Sequence, residues 1–202
     1  MKRAEVLRDL VDHGLGYGRE RLYELAAELD LLVSDVLVVS GHPVPTHLRP
    51  PARDRDVMRA FAKQFVTMDH AHLAAVKNLV VALGSANPAP EGPDSAPAGR
   101  AFHEIFNGLL HNRGLDARSM PFTGLSMSTI HGVADGRSHS LQQLSVVAGP
   151  LAWQFDDLVA VADEPPGHFG SCPTMCRHVG EIFIAAIPLT TSQLVKATRK
   201  NR

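Results

Sequence analysis

The sequence predicts an all-α protein made of two related helical halves. Apolar residues recur at the spacing of an amphipathic helix along most of the 202 residues. No run of alternating apolar and polar residues is long enough to form a sheet. One stretch rich in proline, alanine, glycine and serine divides the chain into two parts that resemble each other. Because 45% of the residues are hydrophobic and 20% are charged, we expect an ordinary packed core.

The dividing stretch, "GSANPAPEGPDSAPAG", has no apolar periodicity and predicts an extended linker over residues 84–99. It separates a small helical domain over residues 1–83 from a second one over residues 100–202. The formal net charge of −1 gives the chain no general attraction for nucleic acid or acidic lipid. Any such attraction would have to come from a local patch.

Helical signals follow one another through the first domain. The stretch "AEVLRDLVDHGL" places Val6, Leu7, Leu10 and Val11 on one stripe, and Gly14 is expected to end this helix. Further helices are predicted over residues 21–31, from Ser34 as N-cap to Gly41, over 56–68 and over 71–83.

The second domain repeats this order from residue 100 onward, so the chain contains an internal repeat. Its first helix has a buried stripe formed by Phe102, Ile105, Phe106, Leu109 and Leu110. The matched positions are Leu22 and Leu25 with Leu141 and Leu144, Asp35 with Asp157, Pro43 with Pro165, Arg59 with Arg177, and Phe65 with Phe183. This register needs a few inserted residues in the second copy. The alternative is chance similarity between two helical segments rich in leucine, alanine and valine.

The second domain also contains an insertion, "DARSMPFTGLSMSTIHGVADGRS", where the first has only "GYGRE". Its length suits two short helices and a turn, the parts of a helix-turn-helix. Gly124 supplies the turn and Ser126 caps the second helix. Leu125, Ile130 and Val133 are expected to face the core.

The exposed side of this second helix carries side chains that suit DNA. The exposed positions are Met127, Ser128, Thr129, His131 and Gly132. Hydroxyl groups and imidazoles hydrogen-bond base edges, and a methionine contacts the thymine methyl group. Arg137, after the helix, is placed for a phosphate contact.

The order of a helix, this helix-turn-helix, "ADGRSHSLQQLSVVAG" and "DDLVAVADEPP" resembles the lambda-repressor-like, Cro/cI-type DNA-binding domains, particularly actinobacterial ones. The resemblance covers residues 100 to about 166. It implies that the helix after the turn reads the major groove through Met127, Ser128, Thr129, His131 and Gly132, and that Ser126, Arg137 and Arg118 contact phosphates. The chain departs from the family at Pro121, which stands in the middle of the bracing helix, at Met127, which replaces a glutamine or arginine, and at the acidic Asp135.

The first domain has no such insertion, and its opening region is acidic. Residues 1–40 contain five basic and eight acidic side chains, a poor surface for a phosphate backbone. We therefore assign this half to pairing, either with the second half or with another subunit.

One cysteine and histidine cluster, "GHFGSCPTMCRH", has the composition of a zinc site. Its candidate ligands are His168, Cys172, Cys176 and His178. Against zinc, free cysteines are commonly buried in cores, and on a helix Cys176 and His178 would point about 200° apart. We predict no metal here, but the cluster stays open.

Other classes of function lack signals. There is no glycine-rich phosphate loop, nucleophile elbow or pair of helical carboxylates, so we predict no catalytic residue, no cofactor and no enzyme. No stretch approaches the roughly 18 apolar residues of a membrane helix, and "MKRAEVLRDL" lacks the apolar core of a signal peptide. Two cysteines do not form a disulfide framework, which favours a cytoplasmic protein.

The sequence therefore predicts a sequence-specific transcriptional regulator of repressor type that binds double-stranded DNA as a homodimer. The alternative is a degenerate helix-turn-helix that regulates by binding another protein. Nothing in the sequence indicates a small-molecule effector.

Overall fold

The computed structural model describes residues 2–84, 101–137, 139–165 and 174–200. The predicted all-α class is confirmed, because these residues form helices and turns and contain no strand. The α-helices are α1 (Arg3–His13), α2 (Arg19–Glu28), α3 (Val33–Val39), α4 (Arg55–Lys63), α5 (His70–Gly84), α6 (Phe102–His111), α7 (Met127–Ala134), α8 (Leu141–Ala148), α9 (Phe155–Val161), α10 (Thr174–Ala186) and α11 (Thr191–Lys200). Within the described ranges, every helix is too short or too polar to cross a bilayer.

The two halves contain equivalent helices in the same order: α1 to α5 correspond to α6, α8, α9, α10 and α11. The register of α2 differs from the one predicted. Gly18 and Ser140 are the N-caps of α2 and α8. The spacing from Gly18 to Pro43 equals that from Ser140 to Pro165, so the second half has no inserted residue in this stretch. Leu22 is therefore equivalent to Leu144, and the predicted match was wrong by three residues. Leucines three apart occur in both helices, so the local pattern fits two neighbouring registers.

Unusual backbone conformations recur at equivalent places and support this register. Asp30 after α2 and Ala152 after α8 have φ angles of 49° and 54°. Gly41 after α3 and Asp163 after α9 have φ angles of 76° and 60°. Since positive φ is unfavourable for residues other than glycine, its recurrence at both turns indicates that the two connections have the same shape.

The helices of each half pack against the other half. α1 packs on α9 and α6 packs on α3, while α5 packs on α10 and α11 packs on α4. Buried aliphatic and aromatic side chains of both halves form one continuous cluster. Within the described residues, the two halves therefore share one core. Of the predicted linker, only Gly84 belongs to the described residues, where it ends α5.

A buried ion pair joins the halves at the centre of this core. The carboxylate of Asp35 on α3 accepts hydrogen bonds from both terminal nitrogens of Arg113, at 3.0 and 2.7 Å. The amide of Asn112 and the indole of Trp153 donate to the same carboxylate at 2.8 and 2.9 Å. Because the charges are enclosed and the carboxylate accepts four hydrogen bonds from the second half, the pair fixes how the halves are oriented.

Two residues at helix ends of the first half act differently from what their type suggests. Gly14 ends α1 as predicted, but its φ of −54° is not that of a left-handed cap. A Cβ atom there would lie 2.4 Å from the Cα of Ser40, so close packing of the backbone requires the glycine. Ser34 lies inside α3, which begins at Val33 after the N-cap Leu32, and its side chain is buried instead of capping the helix.

Candidate nucleic-acid interface

The inserted segment lies between α6 and α8, and residues 2–84 contain no equivalent of it. In the first half a short 3₁₀ turn, Gly14–Gly16, connects the corresponding helices. The insertion consists of two 3₁₀ turns, Ala117–Ser119 and Pro121–Thr123, followed by α7. It packs against α6 and α4.

The predicted bracing helix is replaced by these two 3₁₀ turns. Pro121 is the first residue of the second turn, a position where its missing N–H and fixed φ are tolerated. A regular helix would have placed the proline in its middle. The brace therefore lacks the continuous hydrogen bonding of an α-helix, and tertiary contacts add to the few hydrogen bonds within its turns.

Those contacts are aromatic and apolar. Phe122 in the second turn lies edge-on to Phe65, with ring centroids 6.4 Å apart, and 5.4 Å from the ring centroid of Phe183. Phe65 and Phe183 come from opposite halves, and the Met120 side chain, directly before the second turn, is fully buried. The insertion is thus anchored in the shared core.

An ion pair adds a second anchor. Arg59 on α4 lies 2.6 Å from the carboxylate of Asp116, which precedes the first 3₁₀ turn. The hydroxyl of Ser119 donates to the same carboxylate at 2.7 Å. Burial alone would raise the pKa of Asp116, but these hydrogen bonds outweigh it and lower the pKa below its ordinary value.

The N-terminus of α7 has the predicted turn and cap. Gly124 has a φ of 77°, and the Ser126 hydroxyl accepts a hydrogen bond from the backbone N–H of Thr129 at 3.1 Å. The hydroxyls of Ser128 and Thr129 both lie 2.8 Å from that of Ser126. Three hydroxyl groups therefore surround the positive end of the helix dipole.

The opposite side and the far end of α7 hold it in place. Ile130, Val133 and Ala134 are buried against the core. The Asn107 amide on α6 donates to the Ala134 carbonyl at 2.7 Å. Gly136, with a φ of 72°, then reverses the chain in a Schellman-type ending. The helix is consequently fixed on one side.

The structure separates the predicted contact residues by exposure. Ser126, Ser128, Arg118 and Arg137 are exposed, whereas Thr129, His131 and Gly132 are half-buried. Met127 differs most from the expected exposed position, because it is half-buried and packs against the core.

The charge on this surface is partly compensated. Arg137 lies 3.0 Å from the Asp135 carboxylate, and their side chains are 65% and 55% exposed. An exposed pair of this kind contributes at most about 1 kcal/mol. Arg137 can therefore leave Asp135 for a stronger partner such as a phosphate. Asn107, Phe122 and Arg59 position this surface, yet nothing in their local sequence marks them for that role.

The candidate metal cluster is only partly described. His168 and Cys172 lie outside the described residues, as does the side chain of Cys176. His178 is described, and it contacts His70 on α5. The described residues hold no group of three or more histidine, cysteine, aspartate or glutamate side chains that could share a metal ion.

Comparison with known proteins places the chain in no family. No protein-family model, no curated protein and no solved structure matches it.

Proposed function

We propose that this protein is a sequence-specific DNA-binding transcriptional regulator and that α7 is its recognition helix. The observation that carries the proposal is the placement of α7. It is a capped surface helix with one buried side, inserted into one copy of a duplicated fold and anchored to both halves. Its N-terminus carries the exposed hydroxyl groups of Ser126 and Ser128. Exposed arginines lie on both sides of α7 in the sequence, Arg118 before it and Arg137 after it.

The dimensions and chemistry of α7 agree with this role. The eight residues of α7 form about two helical turns, and an α-helix with its side chains is about 10–12 Å across, which the major groove admits. Ser128, Thr129 and His131 would contact base edges, with Gly132 allowing close approach. Ser126, Arg118 and Arg137 would contact phosphates. Met127 is half-buried and would contribute at most the edge of its side chain.

The partner in this proposal is double-stranded DNA in the cytoplasm. Such regulators bind as homodimers, with two recognition helices in successive major grooves. Because the first half already pairs with the second within the chain, a second chain would pair through another surface. The proposal requires no catalytic residue, metal or cofactor.

A salt titration tests the electrostatic part of the proposal. The affinity for a random duplex should fall steeply as salt rises, because bound phosphates release counterions. Arg137→Gln should lower the slope of log K against log salt by about 1, because one phosphate contact is lost. Arg19→Gln, an exposed arginine on α2, is the matched control and should leave the slope unchanged.

Substitutions on α7 test base reading. With a duplex selected from genomic DNA, Ser128→Ala combined with His131→Ala should weaken binding by about 10-fold, a loss of roughly 1.4 kcal/mol. Ser192→Ala is the control, since Ser192 occupies the same place after the N-cap Thr190 of α11, with the hydroxyls 3.1 Å apart. Unchanged operator affinity in the double variant would show that α7 does not read bases.

The second candidate function is a protein-interaction module that no longer binds DNA. The ion pair between Arg137 and Asp135 favours it, since it reduces the positive charge beside α7. On this alternative the chain binds no duplex even at low salt, and α7 contacts a protein instead.

A further inference from the structure

Two histidines meet where the halves join. His70 begins α5 in the first half, and His178 lies on α10 in the second. Their Nδ1 atoms are 3.2 Å apart, and their rings are nearly perpendicular, at 87°. Neither residue takes part in the proposed recognition of DNA.

The distance between the two nitrogens suits a shared metal ion. Histidine nitrogens bind zinc at 2.0–2.1 Å, so two of them on a tetrahedral ion are separated by about 3.3 Å. The same distance allows a hydrogen bond if one ring donates and the other accepts. At an exposed position, however, water competes for that bond and leaves it little net stability.

The helices hold both rings close together without metal. α5 and α10 pack directly against each other, and buried Leu73 and Val179 lie near the two histidines along these helices. Further along, Lys77 and Glu181 form a 2.7 Å ion pair between the same two helices. Because the backbone is already positioned, a bound ion would not have to bring the ligands together.

The site is also open to an incoming ion. The His70 side chain is exposed and that of His178 is half-buried. Two protein ligands leave the remaining positions of the ion to water or to another small ligand, whereas catalytic zinc sites have three protein ligands and one open position. Glu181 is already engaged by Lys77 and is not required as a ligand.

We propose that His70 and His178 bind a divalent transition-metal ion, with Zn²⁺ as the reference, and that the ion links the two halves of the chain. Imidazole favours zinc, copper and nickel over magnesium, which prefers oxygen ligands. The site is independent of the proposed function, because it involves neither α7 nor DNA.

The test is a calorimetric titration of the untagged full chain with ZnCl₂, in a background carrying Cys172→Ser and Cys176→Ser so that thiols cannot bind the ion. We expect one bound Zn²⁺ and a rise in Tm, since a ligand of the folded state stabilises it. His70→Ala and His178→Ala should each weaken binding by at least about 10-fold, because the remaining imidazole binds without its partner. MgCl₂ should give no signal.

His72→Ala is the matched control. His72 lies two residues from His70 and its ring contacts the Asp69 carboxylate at 2.7 Å. This variant should bind Zn²⁺ as tightly as the parent. Melting each variant with EDTA checks the fold, and an alanine variant that melts early is replaced by asparagine at the same position, as in His70→Asn or His178→Asn. Equal Zn²⁺ affinity in the parent and the His70 variant, or no binding by the parent, would overturn the proposal.

Discussion

Asp35 and Asp157 occupy equivalent positions in α3 and α9, yet their surroundings differ. Asp35 accepts four hydrogen bonds from Asn112, Arg113 and Trp153. Among the described residues, only Arg3 hydrogen-bonds Asp157, with its Nε 2.8 Å from both carboxylate oxygens. Burial raises the pKa of Asp157 above its ordinary value, although Arg3 opposes the rise.

The donors to Asp35 explain the difference. Trp153 is equivalent to Leu31 of the first half, which has no polar group to offer Asp157. Arg113, two residues after α6, corresponds to Gly14, which has no side chain. The two halves thus share backbone conformations and an equivalent aspartate, while single neighbouring side chains determine which aspartate is surrounded by donors.

The largest effect is expected from removing the central carboxylate. Asp35→Ala leaves Arg113 buried without a counter-charge and should lower the free energy of unfolding by about 3–5 kcal/mol. Asp157→Ala leaves Arg3, which is 29% exposed and can reach water, so the loss should be about 1–2 kcal/mol. Urea denaturation measures both. Equal losses would show that the two ion pairs are equivalent after all.

A smaller loss of stability is expected at Gly180, where α10 lies against the turn between α8 and α9. Gly180 on α10 is equivalent to Ala62 on α4. A Cβ atom at Gly180 would lie 2.1 Å from the Gly149 carbonyl oxygen, so Gly180→Ala should destabilise the protein by about 1–3 kcal/mol. Gly16→Ala, with no atom within 4 Å, is the control. A normal Tm for Gly180→Ala would mean that the α8–α9 turn moves freely away from α10.

The smallest effect should come from the insertion and have the opposite sign. A Cβ atom at Gly132 in α7 meets nothing within 4 Å. Gly132→Ala should therefore raise the free energy of unfolding by about 0.5–1 kcal/mol, because alanine loses less backbone entropy in a helix. Thermal denaturation measures it, and a loss of stability would show that α7 is less open than its surroundings indicate.

Local patterns in the sequence were enough for the helical class and for much of α7. The stripes of α1 and α6, the turn at Gly124 and the cap at Ser126 depend on residues within one or two helical turns of each other. Helix periodicity and the positive φ of glycine act over that range, so the sequence carries them directly.

Long-range packing settled the rest. Four features depend on residues far apart in the chain. They are the packing of helices of one half on helices of the other, the 3₁₀ turns in place of a helical brace, the partial burial of Met127 and the contact of His70 with His178. Periodicity indicates that a side of a helix is buried, but not which helix covers it. That choice depends on how the whole core fills its volume, which is a property of the folded chain.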